Sequence, residues 1–168
     1  MSEPTEDTQV KVAANAAEDF VKTFYPALSG MKGNIASFYI KPTIANPLQP
    51  TITINGNVIA DPEAVQAAID EYEERPKYEV QSYDCHVLNS NYNVGAGDSN
   101  LGPDKDGKKM SILVLCSGSV RYPVEGGDEP RGFTESIILV PNWESHGPQA
   151  AKGLKKWLIA SQTFRIVF

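Results

Sequence analysis

The chain has 168 residues, 41% of them hydrophobic and 21% charged, which fits a soluble globular protein with one domain-sized core. A net charge of −6 argues against a protein that coats nucleic acid over its whole surface, and no apolar run reaches membrane-spanning length. The first seven residues are acidic and polar, unlike a signal peptide. Residues 1–8 are therefore expected to be a disordered acidic N-terminus, and residues 9–168 a single domain. A helix is predicted over residues 8–28, where Ala13, Ala17, Phe20, Phe24 and Leu28 recur at spacings of three and four. Ser29-Gly30 marks its stop, and Pro26 is expected to bend its last turn. A second short helix is predicted over residues 34–39, carrying Ile35, Phe38 and Tyr39. Three prolines make residues 41–50 a loop.

Residues 51–54 alternate as a strand, Asn55-Gly56 is a hairpin turn, and Val58-Ile59 is a short return strand. Asp61-Pro62-Glu63 is a strong helix start: Asp caps, Pro takes the first helical position, and Glu meets the positive end of the dipole. Val65, Ala68, Ile69 and Tyr72 form the predicted buried face of this helix, which Pro76 ends. The remainder reads as four long strands, residues 78–88, 110–122, 133–140 and 157–168, able to pair antiparallel through direct connections. Residues 89–109 form a polar loop longer than the roughly 12–15 residues usual in a compact domain. Segregated helices and strands predict an α+β fold: a strongly curved antiparallel sheet with three helices on its concave side. Ile112, Val114 and Cys116 alternate with Leu113 and Leu115, so both faces of that strand look apolar. The last strand groups Trp157, Ile159 and Val167 on one face and Leu158, Phe164, Ile166 and Phe168 on the other. A chain that stops on Ile-Val-Phe is expected to bury its terminus in a sheet or against a partner.

Cys85 and Cys116 lack metal-ligand spacing and read as buried, reduced thiols. No metal site and no cofactor motif is legible, since Gly95-Ala96-Gly97 is a lone Gly-x-Gly in a loop. Asp84 and His86 are the one acid/base-looking pair. Side chains at i and i+2 of a flat strand stand about 7 Å apart, too far for a direct hydrogen bond, so the pair is read as lying at a sheet face or edge. Acidic residues stop at Glu144; beyond it the only charged side chains are Lys152, Lys155, Lys156 and Arg165. This positive zone reads either as gatekeeper lysines beside an aggregation-prone strand or as a contact for an acidic or phosphate-bearing partner.

Over residues 12–168 the pattern resembles the nuclear transport factor 2-like family. The likeness rests on Phe20, Phe24 and Tyr25 of the first helix, the Phe38-Tyr39 pair, the Asn55-Gly56 turn and the helix entry at Glu63. It continues in residues 133–139, similar to the family's "F.Q.F.L" strand. Ser161-Gln162-Thr163-Phe164-Arg165 resembles its closing "D.FR" strand, with Gln or Thr in place of the usual Asp. Long loops, the acidic N-terminus and the lack of catalytic residues look most like the fungal small subunit of the heterodimeric messenger RNA export receptor.

That resemblance implies a non-catalytic subunit that heterodimerises through its sheet face with the large export receptor and carries ribonucleoprotein through nuclear pores. The implied partners are the large subunit, Phe-Gly nucleoporins and RNA without sequence preference, with no membrane. The implied location is the nucleus and nuclear pore, shuttling to the cytoplasm. Candidate partner contacts are Leu113, Leu115, Ile137, Leu139, Phe164, Ile166 and Arg165, the last salt-bridging an acidic residue of the large subunit. Candidate RNA contacts are Lys152, Lys155 and Lys156, with Lys105, Lys108 and Lys109 of the other long loop. The chain departs from the branch in one loop: where a basic insertion is associated with RNA contact, residues 124–130 are short and acidic. The family also includes homodimeric carriers and small isomerase- or dehydratase-like enzymes that use the cone pocket, so both stand as alternatives.

Overall fold

Thr5 opens the first helix: its hydroxyl accepts the Thr8 amide at 3.2 Å, and α1 runs Glu6–Leu28. The structure, a computed structural model, describes residues 2–30, 34–123 and 129–167. Helix α1 starts two residues earlier than predicted, so Glu6 and Asp7 complement its dipole from the first turn instead of lying in a disordered tail. Pro4 is buried at this end. The predicted second helix is a single 3₁₀ turn, Ile35–Phe38, capped by the Asn34 side chain on the Ala36 amide. Strands β1 (Thr51–Ile54) and β2 (Asn57–Ile59) form the expected hairpin, with Asn55 at φ 51° and Gly56 at φ 82° in its turn. Helix α2 (Pro62–Asp70) is capped as predicted by Asp61 on the Ala64 amide at 2.8 Å.

The long strands are β3 (Lys77–Asn89), β4 (Ser111–Arg121), β5 (Arg131–Pro141) and β6 (Trp157–Ile166). The six strands form one curved sheet in the order β2-β1-β6-β5-β4-β3. All pairings are antiparallel except β1 with β6, which run parallel. Two α-helices plus the 3₁₀ turn cover one side of this sheet, where three helices were expected.

Register shifts within β3 and between β5 and β6 bend the sheet. At one of them β3 comes so close to β4 that a Cβ on Gly118 would lie 2.0 Å from the Glu79 carbonyl oxygen. Glycine is required there because only a bare backbone admits the approach.

The concave side is filled by aromatic and branched side chains. Phe20 and Phe24 stack at 4.8 Å, Phe133 and Phe164 at 5.3 Å, and Tyr25 packs on Phe133 at 5.9 Å. Ile52, Ile112, Val114, Ile137 and Ile159 are wholly buried beneath them. Of the predicted buried face of α2, Val65 and Ile69 are buried, while Ala68 and Tyr72 stay exposed. Among the described residues, no helix is long and apolar enough to cross a membrane.

Candidate functional site: the outer face of the sheet

Strand register fixes which side chains share the convex face. One row across the sheet is Ser82, Ser117, Thr134 and Arg165; the next is Asp84, Leu115, Ser136 and Thr163; the third is His86, Leu113, Ile138 and Ser161. The middle of this surface is uncharged. Charge is confined to Asp84 and His86 on one flank and Arg165 on the other, the distribution expected of a protein interface with a polar rim. Leu115 is 39% exposed, and Leu113 and Ile138 are half-buried. Neither helix crosses this face, since the apolar stripes of both pack into the concave core.

The structure separates the seven predicted partner contacts into two sets. Leu113, Leu115 and Arg165 lie on the outer face. Ile137 (0% exposed), Leu139 (1%) and Phe164 (6%) lie in the chain's own core, and Ile166 packs against that core. These four are corrected from contact to core. On β6 the cause is one extra residue. Leu139 pairs with Ile159 and Ile138 with Ser161, so Ala160 is a bulge and the in/out alternation inverts after it. Ile159 and Phe164 therefore face the same way, contrary to the alternation read from sequence. Ile138, Ser136, Ser161 and Thr163 take the vacated outer positions, and a lone serine or threonine in a strand gave no signal of this. Phe168 lies outside the described residues.

Arg165 is exposed and, among the described residues, has no carboxylate partner. Its guanidinium lies over the β1–β2 turn: a methyl group on Gly56 would sit 3.8 Å from it. The turn is tied to β6 by the Ile166 amide donating to Asn55 Oδ1 at 2.8 Å. On the opposite flank, His86 Nε2 approaches Asp84 Oδ2 at 3.2 Å. This corrects the expectation that the pair is too far apart. The Cβ atoms stand apart, but both side chains are exposed and lean together. Ser82 and Ser117 share a hydrogen bond at 2.7 Å in the adjacent row.

The basic zone is also divided. Lys152, Lys155, Lys156, Lys105 and Lys108 are exposed. Lys155 lies 4.5 Å from the Phe38 ring centroid and donates to Ser37 Oγ at 3.2 Å. Lys109 is 4% exposed; its ammonium donates to Asn93 Oδ1 at 2.5 Å and to the Gly102 carbonyl, and burial lowers its pKa. It is a strut of its own loop and is removed from the RNA candidates. The two long loops are clasped together by Trp143, whose indole N–H donates to the Val94 carbonyl at 2.9 Å. Residues 124–128 of the acidic loop lie outside the described residues. Cys116 is buried and its thiol is pushed up to about 11 by that burial; Cys85 is half-buried, and both are free.

The core holds one polar cluster that sequence reasoning missed. Glu135 is 2% exposed on β5. Tyr25 Oη donates to its Oε1 at 2.6 Å, and Gln162 Nε2 donates to its Oε2 at 2.7 Å. Gln162 Oε1 in turn accepts from Tyr39 Oη. Burial pushes the Glu135 carboxyl up to about 7, with its two donors opposing, and raises the pKa of Tyr25 and Tyr39. The signal was present in the alternation of Phe133, Glu135, Ile137 and Leu139. It became readable only once the inward face was known. Among the described residues, no group of three or more His, Cys, Asp or Glu could hold a metal ion.

No protein-family model matches the chain. Solved structures do. A chain of the complex between the Chaetomium thermophilum Mex67 NTF2-like domain and Mtr2 matches with a TM-score of 0.77 and 29% identity, covering 91% of this chain and 97% of that one. A structure of Mtr2 matches with a TM-score of 0.72 and 27% identity, covering 91% and 98%. The chain has the nuclear transport factor 2-like fold, in the form taken by Mtr2. A curated relative agrees: NTF2-related export protein 1 of Bos taurus is 22% identical over 160 residues, covering 94% of this chain and 91% of its own length. The outer sheet face is thus set on a fold whose solved example is a two-protein complex.

Proposed function

We propose that this chain is the non-catalytic small subunit of a heterodimeric messenger RNA export receptor. The observation that carries the reading is the likeness, over nine-tenths of the chain, to a complex of Mtr2 with the Mex67 NTF2-like domain. The bare outer face, uncharged at its centre and flanked by an unpaired Arg165, supports it. The partner is a large subunit whose own domain of this fold packs sheet to sheet against Leu113, Leu115 and Ile138. Such interfaces bury roughly 2,000 Å² or more and resemble a core cut in half. Arg165, at the rim, pairs with a partner Asp or Glu through a bidentate bridge.

The same reading makes the heterodimer a carrier of ribonucleoprotein that shuttles through nuclear pores and meets Phe-Gly nucleoporins there. It touches RNA without sequence preference through the exposed Lys152, Lys155 and Lys156, with Lys105 and Lys108. Charge on one flank of an acidic chain suits weak, salt-sensitive contact with phosphate.

The test is co-expression with a candidate large-subunit domain. A one-to-one complex is expected for the wild type and a weakened one for Arg165→Glu. If Arg165→Glu co-purifies as well as the wild type, the bridge is wrong; if the wild-type chain is a stable homodimer indifferent to the candidate, the heterodimer reading is wrong. Crosslinking of the assembled complex to single-stranded RNA, with the five exposed lysines changed to Glu, tests the basic zone. Unchanged yield removes those lysines from the site.

A further inference from the structure

The Glu135 cluster does more than fill the core: one side of it opens into a cavity. About 130 Å³ of space lies between α2 and the sheet. Ile54, Val65, Ile69 and Phe164 form its apolar walls, Glu135 and Gln162 lie at its polar end, and Tyr72 and Tyr122 pack at 6.1 Å along its edge. An apolar cavity of roughly 150 Å³ accepts a benzene molecule, so this space is of single-ring size. The subunit interface uses the other side of the sheet and leaves this cavity untouched.

The polar end is built for one kind of guest. Each Glu135 oxygen accepts one hydrogen bond from the protein, from Tyr25 or from Gln162, and retains a further lone pair. The groups that act on the carboxyl are Tyr25 from α1, Tyr39 beside the 3₁₀ turn, Tyr78 from β3, Cys116 from β4, Tyr122 after β4 and Gln162 from β6. None is a cation. A buried carboxylate without a counter-ion is costly, and a core serving only to hold the sheet would be cheaper with an apolar residue there. Perturbed carboxyls beside apolar cavities mark binding sites more often than they mark scaffolding.

We propose that this cavity binds a small, neutral, single-ring phenol, its ring against Val65, Ile69 and Phe164 and its hydroxyl donating to Glu135. The donor supplies the hydrogen bond the carboxyl lacks, and the walls take the ring out of water. Toluene, of the same shape without the donor, should bind less tightly. Benzoate, which brings a second negative charge to Glu135, should be rejected.

The experiment uses the full chain, free and in complex with its partner. Binding of p-cresol, toluene and benzoate is measured by calorimetry and by methyl shifts of Ile54, Val65 and Ile69. Saturable p-cresol binding, about tenfold tighter than toluene and with benzoate undetectable, is the expected result; tenfold is about 1.4 kcal/mol, one hydrogen bond. Ala68 is exposed on α2 and lines the cavity, so Ala68→Phe blocks the space without touching the cluster. This variant should abolish binding while leaving the fold and partner pairing intact. Absence of saturable p-cresol binding overturns the proposal. So does toluene binding as tightly as p-cresol, benzoate binding, or p-cresol affinity surviving in Ala68→Phe. None of these outcomes bears on the export reading, which rests on the opposite face.

Discussion

Replacing Glu135 with Gln isolates the electrostatic cost carried inside the cone. The carboxyl titrates near 4.5 in the unfolded chain and at about 7 in the fold, because burial penalises the charge more than Tyr25 and Gln162 compensate. A raised folded pKa means that the native state holds a proton the unfolded state has released. Between about pH 4.5 and 7, stability falls as pH rises; above both values the loss is complete, at about 3 kcal/mol. Gln fits the same space and carries no charge. It keeps the network if Gln162 turns over, so that Gln162 Oε1 accepts from the new amide and its Nε2 faces Tyr39 Oη. Urea unfolding of wild type and Glu135→Gln across pH 5 to 8.5 should show a stability difference that grows by about 3 kcal/mol in favour of Gln and levels off near pH 8. Because the other carboxylates are common to both proteins, they cancel in the difference. A difference that stays flat with pH, or that favours Glu at high pH, would refute the buried-charge reasoning.

The face assignment predicts opposite outcomes for neighbouring residues. Leu115→Asp should leave the free chain within about 0.5 kcal/mol of wild type by urea unfolding, yet abolish co-purification with the large subunit. Ile137→Asp, only one strand away, should prevent folding altogether, because it buries an unpaired charge. Gly118→Ala should destabilise the chain by about 1–3 kcal/mol in the same assay, since its Cβ would collide with the Glu79 carbonyl and force β3 outward. Lys109→Met should cost about 1–3 kcal/mol of stability by leaving Asn93 and the Gly102 carbonyl without their donor, with RNA crosslinking of the complex unchanged.

Local chemistry was legible in the chain. The Asp61-Pro62-Glu63 start, the Asn55-Gly56 turn, the stop after Leu28 and the four long strands depend on residues within a few positions of one another, and they stand where the sequence put them. The α+β class followed from their order. The resemblance carried in Phe38-Tyr39, residues 133–139 and Phe164-Arg165 pointed to the fold that the solved structures share.

What the tertiary structure alone decided is which way each residue looks. Alternation says that a strand has two faces; it does not say which is inward, and one bulge at Ala160 exchanges them for the rest of β6. That exchange moved Phe164 and Ile166 from the candidate interface into the core and left Arg165 outside. The parallel pairing of β1 with β6 joins segments more than a hundred residues apart, which no local pattern encodes. Lys109 became a loop strut because the chain folded back around it. Glu135 became the centre of a buried cluster because three aromatic and amide side chains from distant elements converge on it. Propensity and capping act over one or two turns and are written in order along the chain. Burial is a property of the whole packed assembly, and the burial of Lys109 and Glu135 is decided by partners the sequence does not place beside them.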